Sequence, residues 1–513
     1  LDLNAGTAAF HHTQAPTPFS TTPSENNLTP NHTVSLHNIA GPVHLAGIGG
    51  IGMSALARLL LQTGKKVSGS DKQESPITDE LKALGATIFI GHEAHNLKDA
   101  GALVISTAIV SGNPELEEAR RRGLPVWHRS ELLAYLAKDD KLVAITGTHG
   151  KTTTSAMVGQ VMLNCLMDPT IVVGGIFHHI GANSRLGKGG YFVAEADESD
   201  GTHVRSKPYL SVITNIEPDH LENYPGGIDE ILSVMAKFYG NTEKVCIICS
   251  DDAGCRKLIG QVKNQKGAKI VTYGRRLSAS QLASSAVPQA DYTYESLSGF
   301  DLKIYKGDEL LGQLSLKVPG EHNKLNALAA VATAMELGGK YSQASGAMSQ
   351  FGGVDRRFQI IGEEAGVLIV DDYAHHPTEV VATLKAAKDF IAVERVHGRV
   401  VCLFQPHQPA RLRDLWDEFV LAFEHADVVL IADVYIARGG KIEGIDSARF
   451  VEALRHHDKH YLPGPAKSLP EQLPAYLKDG DLLLTVGAGD VTNVGGELLH
   501  LLTARAGSHG RGK

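Results

Sequence analysis

The residues best suited to chemistry lie in Leu142-Val-Ala-Ile-Thr-Gly-Thr-His-Gly-Lys-Thr-Thr-Thr154, an apolar run followed by two glycines, a lysine and hydroxyls that open a helical pattern. Gly147 and Gly150 allow a tight turn whose N–H groups point at an anion on the N-terminus of the next helix. Lys151 would reach the outer phosphates of ATP, and the Thr152 hydroxyl would hold Mg2+. The expected ATP loop is therefore Gly147, Thr148, His149, Gly150, Lys151, Thr152 and Thr153. Ile145 stands where the usual phosphate-loop pattern has its first glycine, so this loop is a shorter variant.

Two apolar stretches downstream, Tyr191-Phe-Val-Ala-Glu-Ala-Asp-Glu-Ser-Asp200 and Ser211-Val-Ile-Thr-Asn-Ile-Glu-Pro-Asp-His220, each deliver acids or a histidine at their C-terminal ends. That is the edge at which open α/β sheets bind ligands. Magnesium takes oxygen ligands, so Glu195 joins Thr152 as a metal candidate, while Glu198 and Asp200 read as outer or solvated acids. An imidazole is an unusual magnesium ligand, which leaves His220 divided between a structural and a binding role.

A second phosphate feature precedes these. Val43-His-Leu-Ala-Gly47 reads as a strand that enters Gly47-Ile-Gly-Gly-Ile-Gly52 and a helical stretch, with Asp71 at the end of the next strand. This is the dinucleotide fingerprint, but the physics asks only for a diphosphate on a helix N-terminus and ribose hydroxyls near an acid. A UDP-sugar satisfies it as well as NAD does, and an NAD-linked oxidoreductase stays open. The candidate contacts are Gly49, Gly50, Ile51, Gly52, Met53, Ser70 and Asp71, with Ser106 and Thr107 facing the diphosphate or capping a helix near Pro114.

Together these motifs resemble the Mur ligases, the amide-forming enzymes of peptidoglycan synthesis. Gly-Thr-His-Gly-Lys-Thr-Thr-Thr is similar to their ATP loop, and its histidine points to the branch that joins alanine to muramate. Further likenesses run through His322-Asn-Lys-Leu-Asn-Ala327, Asp371-Asp-Tyr-Ala-His-His-Pro377 and Phe404-Gln-Pro-His-Gln-Pro-Ala-Arg-Leu-Arg413. The resemblance implies three domains: a Rossmann-like UDP-binding domain, a central P-loop ATPase-like domain and a C-terminal Rossmann-like domain. It also implies that Glu195 and His220 are metal ligands, that Arg357 and Asp372 reach ATP, and that His322, Asn323 and Asn326 lie by adenine. Tyr373, His375, Arg411 and Arg413 would then hold the amino acid and substrate, with Lys151, His220, His375 and Arg411 as catalytic candidates. Asn323 and Asn326 would otherwise simply cap their helix. Gln408 occupies a position where many members carry arginine, and Lys237 lies near one where some carry a modified lysine; a plain surface lysine is expected here.

The implied reaction joins L-alanine to the carboxylate of UDP-N-acetylmuramate with ATP and Mg2+, in the cytoplasm, as a monomer or homodimer. Its nearest rival is attachment of a tripeptide to the same UDP-sugar, and a catalytically silent nucleotide-binding regulator is a third reading. The 513 residues suit about three domains, assigned as 37–138, 139–354 and 355–507 with tails at 1–36 and 508–513. A hydrophobic share of 43% and charged share of 21% describe a globular protein. The net charge of −8 argues against diffuse binding of nucleic acid. No run of about 18 apolar residues suggests a membrane span. Cys246 and Cys249 have C-x-x-C spacing inside an apolar run, so buried reduced thiols are expected. Residues 278–291 read as a loop before three antiparallel strands.

Overall fold

The computed structural model describes residues 39–509 except 200, 222, 285–286, 395–396 and 438–439, and leaves the side chains of 506–509 aside. The expected N-terminal tail, Asp200, Arg438 and residues 510–513 lie outside the described residues. Three sheets organise the rest. The first is built from β1 (Val43–Ala46), β2 (Val67–Asp71), β3 (Thr87–Ile90), β4 (Ala102–Ile105) and β5 (Val126–His128) in the order β3-β2-β1-β4-β5. All its pairings are parallel, so every strand end that follows the chain direction points to one edge, where the Gly47–Gly52 turn lies.

The central sheet has ten strands: β6 (Lys141–Thr146), β7 (Thr170–Phe177), β8 (Ala182–Arg185), β9 (Tyr191–Glu195), β10 (Leu210–Ile213), β11 (Val245–Cys249), β12 (Lys269–Arg275), β13 (Tyr292–Ser296), β14 (Asp301–Lys306) and β15 (Glu309–Ser315). Their order is β15-β14-β13-β12-β11-β10-β6-β9-β7-β8. The pairings of β6 with β10 and β9 are parallel, so the turn after β6, the acids after β9 and the histidine after β10 emerge side by side. This adjacency turns three separate motifs into one site. The third sheet contains β16 (Gln359–Glu364), β17 (Val367–Asp372), β18 (Val400–Phe404), β19 (Val428–Ile431), β20 (Lys459–Tyr461) and β21 (Leu482–Val486), ordered β16-β17-β21-β18-β19-β20 with β16 antiparallel at its edge.

Buried Val, Ile, Leu and Ala fill both faces of the parallel strands, as sheets covered by helices require. The helix Lys151–Asn164 is buried nearly all round and packs on the alanine-rich helix Glu321–Glu336. A short helix, Ala279–Ser284, replaces part of the loop expected at 278–291, and the final helix continues to His509, beyond the point where fraying was expected. Cys246, Cys249, Cys255 and Cys402 are free and buried, and burial pushes the Cys246 and Cys249 thiols up to about 12, so neither offers a thiolate to a metal. Lys237 is an exposed lysine. Among the described residues no helix is long and apolar enough to cross a membrane.

One polar cluster sits inside the first sheet. Glu115 is fully buried and accepts from Ser70 Oγ at 2.7 Å and Asn96 Nδ2 at 2.8 Å, with His92 Nδ1 at 3.0 Å and His44 Nε2 at 3.3 Å. The Ser70 hydroxyl is therefore turned inward, away from the ligand edge where the sequence placed it. Burial alone would raise the Glu115 pKa, but the hydrogen bonds from His44, Asn96 and Ser70 outweigh it and hold the carboxyl at about 2. A depressed carboxyl stabilises the fold above its unfolded value of 4.5 and loses that contribution as pH falls towards 2. Glu115→Gln should therefore cost on the order of 1–3 kcal/mol at neutral pH and flatten the loss of stability between pH 4.5 and 2. Urea unfolding followed by Trp127 fluorescence in a Trp416→Phe background measures both effects.

Candidate active site

The turn after β6 needs its glycines for two reasons. Gly147 and Gly150 have φ of +131° and +82°, and a Cβ on Gly147 would stand 2.2 Å from the Thr214 hydroxyl. Lys151 opens the following helix, and its ammonium donates to the carbonyls of Gly147 at 2.7 Å and Thr148 at 3.1 Å and to Glu198 Oε1 at 2.8 Å. Glu198 is 4% exposed, so of the outer and solvated readings it takes the first, as a buried counter-ion. Burial opposes the Lys151 charge, but Glu198 and Asp197 outweigh it and keep the ammonium protonated. Thr152 Oγ and both oxygens of Glu195 stand beside Gly174, whose N–H donates to Glu195. Two hard oxygen groups placed together fit Mg2+. His220 follows β10 on a left-handed residue with φ +54°, its Nε2 3.6 Å from Asp219.

The asparagines predicted to read adenine are instead internal ties. Asn326 Oδ1 accepts from Thr154 Oγ at 3.1 Å, its amide donates to Asn323 Oδ1 at 3.3 Å, and Asn323 Nδ2 donates to the Pro319 carbonyl at 2.7 Å. They lock the helix Glu321–Glu336 to the ATP-loop helix, leaving His322 exposed at its start.

The first sheet approaches from the other side. Gly49 N donates to Asp71 Oδ2 at 2.8 Å, so the acid holds the turn in shape, and a Cβ on Gly49 would collide with it. Met53 is buried in the core, while Gly50 and Thr107 are exposed and Ile51, Gly52 and Ser106 partly so. Asn113 caps the helix at Pro114, so Ser106 and Thr107 are not its caps. Asn183 Nδ2 donates to Ile51 O at 2.7 Å and Ser54 Oγ at 2.8 Å, docking β8 on the helix Ile51–Gln62. Arg129 reaches from beside Gly52 to Asp197 at 2.7 Å. A cavity of about 130 Å³ lies here, lined by Gly52, Leu56, Arg129, Leu133, Glu195 and Asp197.

The third sheet supplies the last wall. Asp372 does not project into the site: its oxygens accept from Phe358 N and Ala374 N, both at 2.8 Å, and shape the loop on either side. Burial raises its pKa to about 6. Arg357 lies 5.2 Å from the Tyr373 ring. His375 Nδ1 is 3.0 Å from the Tyr373 carbonyl, which can only accept, so Nδ1 carries the proton and Nε2 the lone pair. Burial, helped by Arg411, lowers the His375 pKa to about 4 against the pull of Glu379, so the ring is neutral at physiological pH. Burial would raise the Asp219 pKa, but His220 and, to a smaller extent, His376 and Arg411 hold it below its usual value. Arg413 is exposed and pairs with Asp414 at 2.7 Å.

Models of the Mur ligase family match the chain in sequence: the family's catalytic domain over residues 42–141, its middle domain over 145–334, and its glutamate ligase domain over 356–489. The chain belongs to the Mur ligase family. A UDP-N-acetylmuramate–L-alanine ligase from Pelobacter propionicus is 43% identical over 464 residues, covering 90% of this chain and 98% of its own. The protein of that name from Geobacter sulfurreducens is 43% identical over 460 residues, covering 88% and 96%. The crystal structure of the UDP-N-acetylmuramate-alanine ligase from Thermotoga maritima matches with a TM-score of 0.75 at 31% identity, covering 91% of this chain and all of the other. A murein peptide ligase from Psychrobacter arcticus shares the fold at TM-score 0.65 and 22% identity, covering 90% and 98%.

In this Mur ligase, four residues that the sequence reading passed over take central places: Gly174, Arg129, Glu217 and Glu379. Glu379 sits one turn into the helix Pro377–Glu394, accepts from His375 N at 3.0 Å and His376 N at 3.3 Å, and reaches His149 Nδ1 at 3.1 Å. Its spacing after the His-His-Pro turn is that of a capping acid, the one signal that could have found it. Glu217 lies 3.6 Å from His149 Nε2 and accepts from Thr378 Oγ at 3.1 Å. Burial opposes a charge on His149, but Glu217 and Glu379 outweigh it and raise its pKa to about 9. The ATP loop is thus tied to the third sheet by an imidazolium between two carboxylates.

Gly174→Ala tests the pairing of Thr152 with Glu195. The new Cβ would stand 2.9 Å from the Glu195 oxygens and 3.0 Å from Thr152 Oγ, and both side chains can swing aside. The melting temperature should change little, while the Mg2+ concentration needed for half-maximal ATP turnover should rise about tenfold. An unchanged Mg2+ requirement in a folded variant would separate these residues from metal binding.

Proposed function

We propose that this Mur ligase adds L-alanine to the carboxylate of UDP-N-acetylmuramate through an acyl phosphate, with ATP and Mg2+, in cytoplasmic synthesis of peptidoglycan precursors. The domain limits are 37–138 for the UDP-sugar, 139–354 for ATP and 355–507 for closure over ATP and the amino acid. The observation that carries this reading is the convergence of Lys151, Thr152 and Glu195 from the central sheet with the His375 loop of the third, which Glu379 ties to His149, at the edge that also meets the first glycine turn. The relatives at 43% identity, named for that reaction, support the choice of substrates.

A carboxylate is a poor acyl donor, so it must first gain a leaving group by attacking the γ-phosphate of ATP. Lys151 exchanges Glu198 for the phosphates and stabilises charge on the transferred group. The Thr152 and Glu195 oxygens, with His220, would hold Mg2+, which when bound neutralises phosphate oxygens. The alanine amine then attacks the acyl carbon, inorganic phosphate leaves, and His375 Nε2 takes the amine proton. Arg411 suits bidentate capture of a carboxylate. Enclosure between the sheets keeps water from the acyl phosphate. Gly49, Gly50, Ile51, Gly52 and Asp71 form the edge for the UDP diphosphate and ribose.

Phosphate release from ATP should require both UDP-N-acetylmuramate and L-alanine, and Lys151→Ala should lower it by roughly a hundred- to a thousandfold. His375→Ala should lower kcat by about a hundredfold or more while leaving ATP affinity nearly unchanged. Release with a tripeptide but not with alanine would overturn the assignment in favour of the peptide-attaching relatives.

A further inference from the structure

The tie between the ATP loop and the third sheet contains more than an ion pair. His149 and Glu217 come from the central sheet and His376 from the turn before the helix Pro377–Glu394, and one donor atom of each lies within 4.8 Å of the others. His149 and His376 approach with ring centroids 5.2 Å apart. His149 Nε2 and His376 Nε2 are both buried and lack a hydrogen-bond partner among the described residues, although His376 as a whole is only 7% exposed. A buried ring N–H without an acceptor is costly, and exchange of that proton for a metal ion turns each nitrogen into a ligand.

We propose that His149, Glu217 and His376 form a binding site for a divalent transition metal ion of the zinc class, separate from the oxygen site at Thr152 and Glu195. Two imidazoles and one carboxylate suit zinc, cobalt or nickel, whereas magnesium favours oxygen alone. The surroundings support the set. His149 Nδ1 donates to Glu379 at 3.1 Å, which orients Nε2 towards the other two ligands, and Thr378 Oγ steadies Glu217 at 3.1 Å. Carboxylate and hydroxyl partners of this kind commonly orient metal ligands. Binding releases the His149 Nε2 proton to solvent. It also moves the His376 ring proton to Nδ1, so the long Thr378 N–H contact of 3.4 Å to that atom gives way. An ion in this place fastens the ATP loop to the third sheet and holds the two units together.

Co2+ is the probe, because a tetrahedral site gives it visible absorption that an octahedral oxygen site does not. The full chain is titrated with Co2+ in excess Mg2+, alongside His376→Ala, Glu217→Gln and, as a control on a surface histidine pair, His457→Ala. The intact protein should bind one equivalent with a tetrahedral spectrum. His376→Ala and Glu217→Gln should weaken that binding at least about tenfold, the scale seen when even an outer partner is removed. His457→Ala should match the intact protein. Melting curves report folding; should His376→Ala fail to fold, the near-isosteric Glu217→Gln decides. No tetrahedral spectrum in the intact protein, or one that survives Glu217→Gln unchanged, would overturn the site.

Discussion

A protonated lysine held under a sheet edge has to be neutralised, and much of this architecture follows from how Lys151 is. Its partners Glu198 and Asp197 follow β9 as Lys151 follows β6, so the charge is balanced only if β6 and β9 are neighbours and parallel. The same acids bring Arg129 over from the first sheet, which sets the distance between the two glycine turns. Isolated burial of such a charge would cost several kcal/mol. In the proposed reaction the ammonium passes to phosphate once Glu198 yields it, so one ion pair would serve both folding and nucleotide capture.

The third sheet is positioned by a different arrangement with the same logic. Glu379 caps the start of its own helix through the N–H groups of His375 and His376, and its other oxygen meets the His149 ring in the ATP loop. A change in that loop is therefore felt at the backbone of His375, the proposed proton acceptor. Asp372 adds rigidity by gripping Phe358 N and Ala374 N, both within the third unit, just after the joint. Burial works against those bonds and raises the carboxyl pKa to about 6, a cost carried to keep the loop in register.

The sequence disclosed the parts that depend on local pattern. The strand-turn-helix units, the two glycine turns and the alanine-rich helix all follow from periodicity and from φ values that only glycine adopts easily. It misled where a polar side chain had two possible directions. Ser70 and Asp372 sit at strand ends as ligand residues would, yet both turn towards protein partners that are distant in sequence, Glu115 for the first and Phe358 for the second. Asn323 and Asn326 likewise satisfy each other and Thr154. Gly174 and Arg129 carried no motif, because their value arises only when β7 meets β9 and the first sheet docks on the second. Such pairings are properties of the assembled sheets, and no spacing in the chain encodes them.

The proposed reaction runs through an acyl phosphate formed from the substrate carboxylate. Its most direct test is turnover of UDP-N-acetylmuramate labelled with heavy oxygen in that carboxylate, with ATP and L-alanine, followed by mass analysis of the products. One labelled oxygen per turnover should appear in the inorganic phosphate, because the carboxylate oxygen that attacks the γ-phosphate departs with it. Labelled amide accompanied by phosphate free of label, with the departed heavy oxygen in water instead, would contradict the mechanism.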